Sequence, residues 1–372
     1  MTEADTASGK KRVLLVAPLP PPVGGDTVSA KRLFESRYWE QAGFEIECID
    51  TSPGEGVRTT DVKRTVKDPF RAMRIMSRLL VRLPNADIML LWANSSFIVS
   101  LGIPVMRLAR TMRRPYIVKP FGTMLADRID LLGPARRKEV VSGLRKAEYL
   151  LPQTSRHAEE LVTRSGLDPG HIVQFPNFLP DGSIIDPIPE KRFSGRCVFL
   201  GQIKAEKGVF DILDALRGRN DLSCDFYGQI LARDKERFFS AAGSLVNCSY
   251  RGTLEAGEVI DTLGQYDVLL LPTSHPSEGH PAAILEAFAA GIPVIATEWR
   301  SIPELIGESE RGILIPPSSP ERVTSALDRL KDDGELYLSL TRNAHEYVAG
   351  FSERKAVGEI LISLISAALR RE

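Results

Sequence analysis

Residues 273–286 read TSHPSEGHPAAILE and set two carboxylates, Glu278 and Glu286, eight residues apart around a glycine, a histidine and a proline. This stretch has the makings of a diphosphate cradle. A proline loses nothing at a first helical position, where its missing N–H would have no partner anyway, so Pro281 marks the start of a helix that Gly291 closes. From Gly279 to Ala282 the backbone N–H groups, those of Gly279, His280 and Ala282 since Pro281 has none, are then free, and the helix macrodipole adds about half a positive charge. Glu286 stands about 7 Å along the axis from Pro281, within reach of a ribose diol. Glu278 falls on the other side of the phosphates. Glutamates eight apart are commonly no more than solvated charges; here the strand before them and the helix after them favour the functional reading.

Such a loop needs a sheet to carry it. Short apolar, β-rich runs alternate with helical patterns almost from end to end, which predicts parallel sheets wound with crossover helices. Strands are expected at residues 12–18, 44–50, 86–93, 116–121, 148–153 and 171–175 in the front half. In the back half they are expected at 196–200, 224–227, 247–251, 267–272, 293–297 and 312–315. Six strands build one open sheet per half, and the polar, proline-bearing stretch 180–194 between them reads as a linker. At 372 residues the chain is also too long for one ordinary core. The expected fold class is α/β, with two Rossmann-like doubly wound domains, 11–185 and 190–350, facing across a cleft. The closing segment 351–372 carries Ile360, Leu361, Leu364, Ile365 and Leu369 at helical spacing, which predicts a helix docked back on the body. Ligands of open α/β sheets collect at the carboxyl ends of the strands, where the 273–286 loop lies.

Composition narrows the function classes. With 43% hydrophobic and 26% charged residues, the chain is neither disordered nor fibrous. No window is apolar enough for a membrane span and the N-terminus lacks a signal-peptide layout, so a cytoplasmic protein is expected. Cys48, Cys197, Cys224 and Cys248 have no zinc-type spacing and read as buried free thiols. His157 and His275 read as polar surface, and His171 carries no signal.

The net charge is zero, but its halves differ. Residues 1–185 hold 27 Lys+Arg against 20 Asp+Glu, and the remainder hold 21 against 28. A front half at +7 suggests an anionic partner, either a phospholipid surface or a lipid-phosphate acceptor. Residues 58–82 concentrate eight basic and two acidic side chains with apolar residues in an amphipathic pattern. That segment reads either as a membrane-surface contact, peripheral at the inner face of the membrane, or as a solvated helix packed on the sheet. No nucleic-acid motif accompanies the charge.

The Glu-x₇-Glu pair within EGHPAAILEAFAAGIPVIAT resembles the hallmark of the family 4 retaining glycosyltransferases of the GT-B fold. The likeness runs over nearly the whole chain and includes Gly24-Gly25, residues 201–208 and the closing helix. It implies transfer of a hexose-type sugar from a nucleotide-sugar donor, most commonly of UDP, to an acceptor hydroxyl on a sugar or a lipid-linked glycan precursor, as in polysaccharide biosynthesis. By this resemblance Glu278 holds the donor sugar's hydroxyls, the backbone from Gly279 to Ala282 the diphosphate and Glu286 the ribose, while Lys207 neutralises the phosphates as a point charge. Gly24 and Gly25 let backbone approach donor phosphates and acceptor closely. His280 shapes the sugar pocket. The resemblance also implies retention at the anomeric carbon with a donor phosphate oxygen taking the acceptor's proton, and neither metal nor cofactor. Two positions depart from the family. Gln202 stands where an arginine is usual, which implies either that Lys204 supplies the charge or that phosphate binding is weaker. In Lys119-Pro120-Phe121-Gly122, Phe121 takes the place of a histidine that touches the donor sugar, implying an altered donor, a repositioned ring or an inactive homologue.

Overall fold

The computed structural model describes residues 10–52, 69–188 and 191–371. The chain forms two compact units, residues 1–176 with 353–372, and residues 177–352. Each is built on its own parallel sheet.

In the first unit the strands β1 (Lys11–Ala17), β2 (Phe44–Asp50), β3 (Ile88–Asn94), β4 (Tyr116–Phe121) and β5 (Tyr149–Leu150) lie in the order β2-β1-β3-β4-β5. β3 and β4 are buried almost throughout, as expected for a sheet covered on both faces. Helix α1 (Gly25–Phe34) follows β1, α2 (Pro69–Arg82) precedes β3, and α3 (Ser155–Ser165) follows β5. The strand expected at 171–175 is absent. Only an isolated bridge joins Ile172 to Leu150, and Pro169 opens a short 3₁₀ turn that runs into His171. The closing segment continues from a π-helical stretch (Arg354–Leu361) into helix α5 (Ile362–Leu369), with Val357, Leu361 and Ile365 fully buried. It belongs to this first unit, where Gly358 passes so close to the Tyr38 ring that a Cβ would sit 2.9 Å from it.

The second unit has six strands, β6 (Arg196–Leu200), β7 (Ser223–Tyr227), β8 (Cys248–Gly252), β9 (Val268–Leu271), β10 (Val294–Thr297) and β11 (Gly312–Ile315), ordered β11-β10-β9-β6-β7-β8. The order reverses between β6 and β9, and helix α4 (Ala282–Ala289) leaves the carboxyl end of β9 next to that reversal. Cys197, Cys224 and Cys248 are register neighbours across β6, β7 and β8 and are buried free thiols; Cys48 is free and half-buried. The stretch 180–194 is tied to this unit by Ile185 N–H donating to Ala289 O at 3.0 Å and Ser194 N–H donating to Asp267 Oδ2 at 2.8 Å.

Candidate functional site

The loop between β9 and α4 holds the second unit's polar cluster. Pro281 lies one position earlier than expected: with φ −59° and ψ 120° it caps the helix, and Ala282 is the first helical residue. The N–H groups of that first turn have no preceding helical carbonyl to bond. Glu286 is buried one turn further on, and Gly279 and His280 are buried beside the cap. The His280 carbonyl accepts from Asn177 Nδ2 at 2.6 Å, and its ring faces Phe351 with centroids 5.4 Å apart.

Glu278 does not stand alone. Its Oε2 accepts from Lys207 Nζ at 2.6 Å and from Thr273 Oγ1 at 2.9 Å. Both side chains are sheltered, with exposures of 16% for Lys207 and 7% for Glu278. Burial pushes the carboxyl's pKa up, but the Lys207 charge, the hydrogen bonds from Lys207 and Thr273, and the nearby His275 outweigh it and hold the group below its ordinary value. Lys207 ends a 3₁₀ turn (Ala205–Lys207), and Gly208 then turns the chain at φ +75° into the helix Val209–Ala215.

Lys204, at the start of the same turn, brings its Nζ to 3.4 Å from His275 Nε2, which also lies 2.9 Å from Ser277 Oγ. Desolvation, followed by the Lys207 charge, lowers Lys204 to about 8. Desolvation and both lysines lower His275 to about 4, so its imidazole is neutral at pH 7 and accepts from the Lys204 ammonium. His275 is therefore a half-buried part of the cluster and not the polar surface expected. Its carbonyl is fixed by Trp299 Nε1 at 2.9 Å. Gln202 sits half-buried just after β6. Sequence patterns alone missed Thr273, Asn177 and Trp299.

The remaining candidates lie in the first unit. Gly24 caps α1, donating its N–H to Thr27 Oγ1 at 2.9 Å, and Gly25 opens the helix with open space where a Cβ would stand. Phe121 ends β4 almost wholly buried, and Gly122, at φ +69°, donates its N–H to Gln153 Oε1 at 3.0 Å. His157 is fully buried, a second correction to the surface expectation. It shares one face of α3 with Leu161 and Ser165 at four-residue spacing, and that face is the buried one. Among the described residues, no group of three His, Cys, Asp or Glu side chains is placed to hold a metal ion.

The second unit is thus a parallel α/β unit with a helix N-terminus and a lysine–glutamate pair beside its strand-order reversal, the edge at which open α/β sheets collect ligands. Residues 189–347 match the family model described as Glycosyl transferases group 1. Alpha-D-kanosaminyltransferase of Streptomyces kanamyceticus is 26% identical over 239 residues, 62% of this chain and 54% of that protein. A putative colanic acid biosynthesis glycosyltransferase of Salmonella typhimurium is 34% identical over 113 residues, 29% of this chain and 28% of that one. The matches thus span about half or less of these relatives' lengths. Among solved structures, Anabaena HepE in complex with UDP aligns with a TM-score of 0.71 at 13% identity, over 96% of this chain and 100% of that one. The fold is GT-B.

Proposed function

We propose that this chain is a family 4 retaining glycosyltransferase that moves a hexose-type sugar from a nucleotide-sugar, UDP-linked, to an acceptor hydroxyl on a sugar or lipid-linked glycan precursor. The second unit takes the donor and the first the acceptor. The observation that carries this is the Lys207–Glu278–Thr273 cluster beside the α4 N-terminus, within the segment that matches the family model. A diphosphate there meets helix N–H groups and the charges of Lys204 and Lys207, with Lys204 supplying what Gln202 lacks. Departure of the nucleotide is favoured by these preorganised positive groups, and transfer requires neither metal nor cofactor. The UDP complex of HepE and the polysaccharide pathway named for the Salmonella relative support the choice of donor and product class.

The test is calorimetric titration of UDP and GDP, free and as sugar conjugates, in EDTA. One nucleotide binds, and Glu286→Ala weakens it by about 1 to 3 kcal/mol, as for a lost hydrogen bond to a charged group. No binding of any nucleotide would refute the donor site, and binding without turnover on any acceptor would identify a non-catalytic homologue.

We further propose a peripheral contact with anionic lipid through α2, a cytoplasmic protein meeting the inner face of the membrane. Of the basic segment noted above, 58–68 lies outside the described residues. On α2, Phe70, Met73, Leu80 and Val81 are exposed beside Arg74 and Arg78, the layout of an interfacial helix. Among the described residues no helix is long and apolar enough to cross a membrane. The protein should co-sediment with vesicles containing phosphatidylglycerol and not with phosphatidylcholine alone, and Met73→Glu/Val81→Glu should abolish the difference. Equal sedimentation with both lipids would rule the contact out.

A further inference from the structure

The first unit holds a second polar cluster that the donor site does not use. Lys119 and Trp92 are register partners on β4 and β3, so their side chains share one face of the sheet. Lys119 is completely buried and its Nζ has no hydrogen-bond partner. Three aromatic rings surround that ammonium, with centroids 4.7 Å away for Phe121, 5.1 Å for Trp92 and 5.8 Å for Phe175. Trp92 Nε1 is likewise buried without a partner, and so are both ring nitrogens of His157. Ser95 Oγ, just past the end of β3, is a further buried hydroxyl with no partner.

Buried polar groups of folded proteins are nearly always hydrogen-bonded, so the orphaned Lys119, its register partner Trp92 and His157, whose ring feels the Lys119 charge, call for an explanation. An aromatic ring attracts an ammonium, but it cannot satisfy three N–H donors at once. The orphans are mostly donors: the ammonium, the indole N–H and the imidazole N–H. What would complete them is a set of acceptor oxygens carrying negative charge. They lie at the carboxyl ends of β3 and β4 and at the start of α3 behind β5, the edge at which open α/β sheets take their ligands. Phe121 is 7% exposed while Trp92, Lys119 and Phe175 are at 0%, so its ring is the wall nearest to solvent.

We propose that Lys119, Trp92 and His157 form an oxyanion-binding site in the first unit, which takes a carboxylate or phosphate group of a ligand admitted past Phe121. The site does not depend on the donor reading of the second unit. It also gives Phe121 a role: a residue that cannot hydrogen-bond a sugar covers a lysine, two positions away on the same face, that can bind an anion. Desolvation lowers Lys119 to about 7, and desolvation with the Lys119 charge lowers His157 to about 4, Asp127 acting in the opposite sense. An oxyanion bound between them would favour both charged forms and raise both values.

The experiment titrates inorganic phosphate, glucuronate and UDP into the full chain, reading the Lys119 signal by NMR with 15Nζ-labelled lysine, and measures binding to Lys119→Met and Trp92→Phe. An anion that binds raises the Lys119 midpoint in the wild type, Lys119→Met loses about tenfold or more in affinity, and Trp92→Phe loses less, as for a charged against a neutral hydrogen bond. A response to phosphate and UDP but not glucuronate makes the oxyanion a phosphate of the donor; a response to phosphate or glucuronate but not UDP places it on the acceptor. Should Lys119→Met misfold, the wild-type midpoint and Trp92→Phe still decide. An unmoved midpoint with all three probes overturns the site, as does phosphate binding that Lys204→Met abolishes and Lys119→Met leaves intact.

Discussion

Lys207→Met should cost about 3 to 5 kcal/mol of stability, the penalty for breaking a buried ion pair by removing one partner. The substitution removes the cation beside Glu278, itself 7% exposed, and leaves the neutral Thr273 hydroxyl donating to the carboxylate at 2.9 Å. Donor turnover should fall about 100-fold or more, as when a preorganised positive group beside a developing charge is lost. The two effects separate in the double variant Lys207→Met/Glu278→Gln. It removes both charges, so urea unfolding should recover most of the lost stability, while turnover stays low because the phosphates still lack their cation. Recovery of both together would mean that Lys207 serves only to neutralise Glu278. The pH dependence has a definite sign. Glu278 is held below its ordinary value of 4.5, so the pair contributes stability above that pH and loses it as the folded protein is acidified through its depressed titration. The wild type should thus lose its advantage over the double variant on acidification and keep it at neutral pH.

Gly208→Ala should destabilise the protein by about 3 kcal/mol or more, because two penalties coincide. Alanine at φ +75° is strained, at about 1 kcal/mol or above. Its Cβ would also stand 2.1 Å from Pro272 O, a backbone atom at the end of β9 that cannot rotate away. Pro272 precedes Thr273 and Gly208 follows Lys207, so the same close approach sets Lys207 against the loop that carries Glu278. Nucleotide affinity should fall with stability, measured by calorimetry below the unfolding transition. Gly25→Ala is the control for stability: nothing lies within 4 Å of its Cβ and the position is helical, so the change should be neutral or mildly stabilising. Equal unfolding midpoints for Gly208→Ala and wild type would show that the two loops are not locked as described.

Eleven of the twelve expected strands form, since an apolar run of β-rich residues bounded by turn formers reports its own burial without reference to the rest of the chain. The twelfth, 171–175, lies between Pro169 and Pro176, and a segment with a donor missing at each side makes one bridge and no ladder. The loop from Thr273 to Glu286 was legible for the same local reason: strand, turn, proline and helix signals follow one another in the sequence.

What the sequence determined by itself was the succession of elements, the α/β class and the turn-and-helix start that follows β9, all written in residues a few positions apart. The tertiary structure decided which distant side chains meet. It paired Lys207 with Glu278 and Lys204 with His275 across 71 residues, buried His157, and closed three rings around Lys119. It also attached the stretch 180–194 to the second unit and the closing helix to the first. A charged residue within an apolar strand, such as Lys119, shows no local sign of whether it is solvated or enclosed. That depends on the rings that β3 and the chain after α3 bring to it, and their packing is set only when the whole sheet has assembled.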